Sequence, residues 1–318
     1  MIIDSDAGTD PDDTCVAILV ARHRSRFPAE LMITNDETTK WAKARFLKAL
    51  VEATGHDIPV AGGLPSLKKR EDDLADKAGL SPDIEVDRDG VAKIIAVLEA
   101  HPGVDYIGLG ALTNLDAALA QRPELAKRVR LFQMGPAVAG GFQRARAQYN
   151  ARIDPGAFAR VLRQVPTPTL IATHTTWGNW GGPAKLPLGV YPDDDLGKKL
   201  ISTDRRDLAL YGRHLAAFVA SGKDCSILHD PATLLASQEP ELFDLVEVDV
   251  IIDDQGWIHL TREACDALRC LENGRIGCVE KAITGWSDPP DQHRVRVRMS
   301  LAAEYDRIRA RVIELLGV

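Results

Sequence analysis

The chain has 318 residues, 45% apolar and 5% aromatic, with a formal net charge of −7. That length suits one large α/β domain or two small ones, and that composition is ordinary for a globular protein in water. The acidic balance argues against a general affinity for nucleic acid, and no apolar run approaches the roughly 20 residues needed to span a bilayer.

Ile2 and Ile3 open a short buried strand. Asp4-Ser5-Asp6-Ala7-Gly8-Thr9-Asp10-Pro11-Asp12-Asp13 follows as an acidic loop, and then Val16, Leu19 and Val20 recur at helical spacing. Five carboxylates in ten residues repel one another, so the loop is stable only if solvated or neutralised by a cation. Hard oxygen donors at this density suit Ca²⁺ or Mg²⁺ rather than Zn²⁺. The loop also leaves the C-terminal end of a strand, where open α/β sheets place their ligands. The plain alternative is a solvated turn in which Asp12 or Asp13 caps a helix. An EF-hand fits poorly, because a glycine stands where it should not and no glutamate closes the loop. A phosphoaspartate phosphatase would want Asp-x-Asp-Gly-Thr, and Ala7 separates Asp6 from Gly8.

Leu31–Thr34 reads as the second strand, ending at Asn35-Asp36-Glu37. Thr38 and Thr39 offer a helix start, with Ala42, Phe46, Leu47 and Leu50 as the apolar face. Ile58–Gly63 is a short strand closing on a glycine turn, and residues 68–87 form a charged surface excursion. A helix over Val91–Leu98 leads to a strand at Val104–Gly110, then Thr113-Asn114 and a helix through Ala118. Val129–Met134 and Leu170–Thr173 are further strands. This alternation predicts an α/β fold, an open and mostly parallel sheet with helices on both faces. Polar residues recur just after the strands, which points to one cleft.

The second half is more helical. Asp207–Ala220 is a helix, and Cys225–Pro231 leads to another from Ala232. Val246–Ile252, Trp257–Leu260 and His293–Met299 are strands. Arg294, Arg296 and Arg298 alternate with apolar residues, as on the wet face of an edge strand. Leu301, Tyr305, Ile308, Val312 and Leu315 mark a packed final helix. With no internal repeat and no linker, residues 1–318 are expected to form one domain. Cys15, Cys225, Cys265, Cys270 and Cys278 are odd in number and lack metal or redox spacing, so they read as reduced thiols. With no secretion signal visible, a cytoplasmic protein is expected.

Taken singly, the polar clusters are weak signals; their order is not. Asp4–Asp13, Gly110-Ala111-Leu112-Thr113-Asn114-Leu115, Met134-Gly135-Pro136, Gln148-Tyr149-Asn150 with Asp154-Pro155, and His229-Asp230-Pro231 follow one another along the chain. Together they resemble the inosine–uridine-preferring nucleoside hydrolase family over nearly its whole length. The opening motif is a longer form of that family's Asp-x-Asp-Pro-Gly-x-Asp-Asp.

The resemblance implies calcium-dependent hydrolysis of an N-ribosyl bond, giving free base and sugar. It implies that Asp6, Asp13, the Thr113 main-chain carbonyl and Asp230 hold one Ca²⁺, with Asp10 as a further candidate in the lengthened loop. Asp6 would also take a proton from the attacking water. Asp12 and Asn35 would hold ribose hydroxyls, Asn150 would bind further along the sugar, and His229 would face and protonate the leaving base. A homodimer or homotetramer acting on a small nucleoside-like substrate is implied as well. The residue types suit this chemistry: carboxylates stabilise an oxocarbenium-like centre, and histidine titrates near neutrality.

Three positions depart from the family pattern. Gln148 replaces a glutamate that binds the ribose 5′-hydroxyl, Phe142 stands where an asparagine would help, and Pro136 replaces a glycine. These changes point to a substrate altered at the 5′ position, and Arg144, Arg146 and Arg152 lie near in sequence for a 5′-phosphate. His174, Trp177, Asn179 and Trp180 offer an aromatic wall for a base. Two other readings stay open: a non-catalytic nucleoside- or sugar-binding relative, and a Mg²⁺-dependent phosphatase.

Overall fold

The computed structural model describes residues 1–35, 37, 40–65, 74–138, 147–178, 185–261, 264 and 294–318. Its strands are β1 (Ile2–Ser5), β2 (Leu31–Thr34), β3 (Val60–Gly62), β4 (Val104–Gly108), β5 (Val129–Met134), β6 (Thr169–Ile171), β7 (Gly189–Val190), β8 (Ser226–Ile227), β9 (Phe243–Ile252), β10 (Ile258–Leu260) and β11 (Arg294–Ala303). The first helices are α1 (Asp12–Arg22), α2 (Ala42–Ala53), α3 (Leu74–Lys77), α4 (Gly90–Ala100), α5 (Thr113–Gln121) and α6 (Tyr149–Ile153). The rest are α7 (Pro155–Gln164), α8 (Thr173–Trp177), α9 (Asp195–Ser202), α10 (Arg206–Ala220), α11 (His229–Ala236) and α12 (Tyr305–Leu316).

Nine strands form one sheet in the order β10-β9-β11-β6-β5-β4-β1-β2-β3. From β3 to β11 every pairing is parallel, and β9 and β10 extend the sheet antiparallel. The central strands are buried at nearly every position because both faces are covered. Alternation sorts them into two cores. Ile3, Met32, Ile107 and Phe132 are cross-strand neighbours and pack with residues of α1, α10, α11 and α12. Ile2, Leu31, Tyr106 and Leu131 face the other way, towards α4, α5 and α7. Helices therefore cover both faces, as the sequence pattern implies.

The chain runs β1, β2, β3 towards one edge and returns to place β4 on the other side of β1. The carboxyl ends of β1 and β4 thus flank a switch point, where such sheets open a crevice. A buried polar knot braces it. Asp4, the third residue of β1, accepts from Asn35 Nδ2 at 2.8 Å and Asn114 Nδ2 at 3.0 Å, and from the Tyr106 hydroxyl. Asn114 Nδ2 also donates to the Thr34 carbonyl at 3.0 Å, and its Oδ1 accepts from Leu64 N at 2.7 Å. Gly63 has to be glycine here, since a Cβ would lie 2.3 Å from both Asn114 Oδ1 and the Thr34 carbonyl.

Three sequence expectations change. β11 is an interior strand, between β9 and β6. Its arginines find partners on both neighbouring strands: Arg296 lies 3.3 Å from Asp249 and 3.6 Å from Glu247 on β9, and Arg298 donates to Thr169 Oγ1 on β6. Leu301 belongs to β11 and not to the final helix. The helix expected from Ala232 begins at His229, which sets Asp230 in its first turn. Pro231 does not prevent this, because the first helical turn has no use for that N–H. Asp36, Thr38, Thr39, Phe142, Arg144, Arg146, Asn179, Trp180, Cys265, Cys270, Cys278 and His293 lie outside the described residues.

Candidate active site

At the carboxyl ends of β1, β4, β5 and β6 lies a cleft of about 200 Å³. One end is acidic. Asp6, Asp10, Asp12 and Asp13 reach it from the β1–α1 connection, and Asp230 from α11. Asp12 and Asp13 stand in the first turn of α1 and Asp230 in the first turn of α11. Two positive helix ends therefore converge on the nest and offset part of its repulsion. The loop also binds itself together. Ser5 Oγ donates to Asp13 Oδ1 at 2.5 Å, Asp230 N to Asp12 Oδ2 at 3.1 Å, and Asp13 N to Asp12 Oδ1 at 3.2 Å. Asp10 accepts from the Ser226 hydroxyl and, at 3.4 Å, from Asp12 N.

These partners do not offset burial. Loss of water, followed by repulsion from the neighbouring aspartates, lifts Asp12 and Asp230 well above the usual carboxylate range. Asp13 is raised likewise, by burial and then by Asp6. Burial raises Asp10 to about 6. Crowded carboxylates of this kind hold protons unless a cation takes their place. One oxygen each from Asp12, Asp13 and Asp230 lies within 4.8 Å of the others. Ligands at roughly 2.3–2.6 Å from one Ca²⁺ have that spread. An all-carboxylate donor set therefore fits a hard divalent cation.

The cleft collects most of the residues singled out in the sequence. Asp6, Asp10, Asp12, Asp13, Gln148, Asn150, His229 and Asp230 all line it. Gln148 is the N-cap of α6: its Oε1 accepts from Asn150 N at 2.8 Å and Ala151 N at 3.4 Å. Asn150 Nδ2 donates to the Leu109 carbonyl at 2.7 Å and the Met134 carbonyl at 3.3 Å, so its Oδ1 is the amide atom left to a ligand. His229 Nδ1 lies 2.6 Å from Thr176 Oγ1. Burial pushes its imidazole down to about 4, so the ring is neutral near pH 7, unlike the freely titrating histidine expected from sequence.

Two expected residues stand elsewhere. Asn35 is fully buried, with its Nδ2 on Asp4 and its Oδ1 accepting from Ala111 N at 3.2 Å. Both ends of its amide are thereby occupied within the protein, and it is not part of the cleft lining. Thr113 opens α5, its hydroxyl donates to Asp154 Oδ2 at 3.0 Å, and it is not among the lining residues; the ligand role implied by the resemblance belongs to its main-chain carbonyl, which this contact leaves untouched.

The structure adds residues that sequence reading missed. Lys43 is 1% exposed, and its ammonium donates to the Asp6 carbonyl at 2.8 Å, which places a fixed positive charge behind the nest. A signal was present: Lys43 falls in register with Phe46, Leu47 and Leu50 on the buried stripe of α2. Trp177, already singled out in the sequence as a wall for a base, lines the cleft too, with its ring 6.2 Å from that of His229 at 31°. Thr173 and Met134 are also among the lining residues.

Known proteins bear on this arrangement. A "Pyrimidine-specific ribonucleoside hydrolase RihA" of Klebsiella pneumoniae (strain 342) is 27% identical over 273 residues, covering 80% of this chain and 85% of that protein. A structure titled "Plant nucleoside hydrolase - PpNRh1 enzyme" superposes with a TM-score of 0.74 at 21% identity, covering 99% of this chain and 98% of that one. An inosine-uridine preferring nucleoside hydrolase from Bacillus anthracis superposes with a TM-score of 0.69 at 15% identity, with coverages of 99% and 98%. At these identities the two structures speak for the fold alone. The sequence model described as "Inosine-uridine preferring nucleoside hydrolase" matches residues 1–305, and the chain therefore belongs to that family of hydrolases acting on N-glycosyl compounds.

Proposed function

We propose that this enzyme hydrolyses the N-glycosidic bond of a ribonucleoside or related N-riboside with the help of one Ca²⁺. The observation that carries this reading is the meeting of carboxylates from both ends of the chain, Asp6 to Asp13 and Asp230, in one cleft. The resemblance and the carboxylate cluster both support Asp13 and Asp230 as the ligands, with Asp12 as the third carboxylate of the cluster. Bound Ca²⁺ supplies positive charge that neutralises the nest, grips neighbouring sugar hydroxyls and acidifies water. Asp6 takes the proton of the attacking water as it adds to C1′ and the C–N bond breaks. The remaining negative charge of the nest stabilises the positive charge that develops on the sugar. Asn150 Oδ1 accepts from a sugar hydroxyl. His229 presents Nε2 to the base, which departs as its anion and takes its proton from solvent.

The 5′ position is the distinctive part of the proposal. Gln148 is neutral, and its Oε1 is already engaged by two backbone N–H groups. It therefore has no carboxylate oxygen with which to accept from a 5′-hydroxyl, and among the described residues its Nε2 meets only Met134 Sδ, at 3.7 Å. A substrate deoxygenated or substituted at the 5′ position matches that chemistry better than plain inosine. Calcium-dependent base release from inosine, 5′-deoxyinosine and inosine monophosphate tests both parts. We expect release that a chelator abolishes, with plain inosine the poorest of the three; a preference for plain inosine would remove the 5′ element.

Residues 1–318 act as one unit in this reading, supported by a single sheet that takes strands from Ile2 to Ala303. A homodimer or homotetramer is carried over from the resemblance, and light scattering checks it. Among the described residues no helix is long and apolar enough to cross a membrane.

A further inference from the structure

The cleft holds a polar group that no described residue engages. Thr173 is 4% exposed and lines the cleft, and its Oγ1 is buried without a hydrogen-bond partner among the described residues. Its backbone is already satisfied: Thr173 N donates to the Pro136 carbonyl at 3.1 Å, and the Thr173 carbonyl accepts from Thr176 Oγ1 at 3.2 Å. Nor does the hydroxyl cap α8, whose N-cap is Ala172 and lacks a side-chain bond. A buried hydroxyl left unpaired costs stability, so its presence in a cleft calls for a ligand.

Its neighbours say what kind. Trp177 lies four residues further along α8, on the same helical face, and also lines the cleft. Its ring is tilted by 31° from that of His229, which forms a second wall. Thr176 occupies His229 Nδ1 at 2.6 Å, leaving Nε2 as the ring nitrogen open to the cleft. The carboxylates that suit a sugar line the same cleft. An indole face, a ring nitrogen and an unpaired hydroxyl together match a flat heterocycle with a hydrogen-bonding edge.

Resting on the N-glycosidase reading above, we propose that the Thr173 hydroxyl is a specificity-determining contact, hydrogen-bonding to a carbonyl, ring nitrogen or amino group of the leaving base. A site built to pair with such a group rejects analogues that lack it.

The test compares Thr173→Val and Thr173→Ser with the wild-type, Ca²⁺-loaded enzyme. The substrates are inosine, uridine and 4-nitrophenyl β-D-riboside, whose aryl leaving group has no ring nitrogen or ring carbonyl. For the better nucleoside, the ratio of its kcat/KM to that of the aryl riboside is expected to fall about tenfold in Thr173→Val, the usual weight of one neutral hydrogen bond. Thr173→Ser is expected to restore it to within about threefold. The Tm of ligand-free Thr173→Val is expected to equal or exceed that of the wild type, because an unpaired hydroxyl has been removed. An unchanged ratio, an equal fall on both kinds of substrate, or a lowered Tm would overturn the assignment while base release from inosine or uridine by the wild type kept the N-glycosidase reading intact. If the wild type released nothing from any of the three ribosides, that reading would fail and this one with it.

Discussion

Asp4 and Asp13 lie nine positions apart on one stretch of chain, both buried, yet they sit in opposite chemical surroundings. Asp4 is met by three neutral donors, from Asn35, Asn114 and Tyr106. Burial still lifts its carboxyl to about 7, with those donors pulling the other way. Asp13 has one side-chain donor, Ser5, and it shares a few ångströms with Asp12 and Asp230. Burial is therefore a poor guide to function in this molecule, and donor supply is a better one. A carboxylate ringed by amides and a hydroxyl is a brace. Several carboxylates that face one another across a cleft are short of positive charge, and a cation is the missing partner.

The largest effect expected from that contrast follows Asp13→Asn or Asp230→Asn. Each removes a charge from the cluster while keeping its shape. Base release should fall on the order of 10²–10³-fold, the scale set by losing one group that stabilises developing charge. Calcium should no longer raise the Tm, whereas the far-UV spectrum should stay that of the wild type. Variants that still bind Ca²⁺ with wild-type affinity would break the contrast.

Metal removal comes next. At an ion concentration of about 100 times Kd, a bound ion adds about 2.7 kcal/mol of stability, and chelation should withdraw it. The loss should depend on pH. Asp10 keeps its proton in the fold up to about 6, while an unfolded aspartate ionises near pH 3.9. A carboxyl raised in this way stabilises the fold below its unfolded value, and that contribution drains away as pH rises through the folded value. The metal-free protein should therefore lose stability as pH rises through 6. Calcium replaces the protons of the nest, so the calcium-induced rise in Tm should grow from about pH 5 to about pH 8. Asp4 lies outside the nest, and its own drain, towards about 7, should persist with or without calcium. A Tm difference that is flat with pH would show that the nest is already neutralised by protein groups.

The sequence made one half of this contrast legible and hid the other. Carboxylate density marked the acidic loop, and apolar runs bounded by polar loops marked β2 and β5 at their observed limits. Proximity along the chain was enough for that. The brace needs Tyr106 and Asn114, 102 and 110 positions from Asp4, and no local pattern announces such pairings. The resemblance puts Asn35 at the sugar, and local pattern cannot correct it, because a polar residue after a strand looks the same whether it faces a cleft or a buried carboxyl. Alternation along β11 likewise reported which faces were wet, but it carries no information on which strands lie alongside. Thr173 was read as the last residue of a strand. It is instead the first of a short helix, which brings Trp177 round beside it.

The smallest expected effect separates brace from site most directly. Asn35→Ala removes one donor from Asp4 and one acceptor from Ala111 N. Leaving buried groups unpaired costs about 1–3 kcal/mol, so urea unfolding should shift by that amount. If Asn35 acts only through Asp4, KM for the nucleoside should stay near the wild-type value in the folded variant. A contact to ribose hydroxyls would instead raise KM about tenfold, the weight of one hydrogen bond, with little change in stability. Tyr106→Phe serves as the control, since it removes a different donor from the same carboxyl on a strand buried beneath the cleft. Matching stability losses in the two variants, with KM unmoved in both, would place Asn35 with the brace; a KM change confined to Asn35→Ala would return it to the sugar.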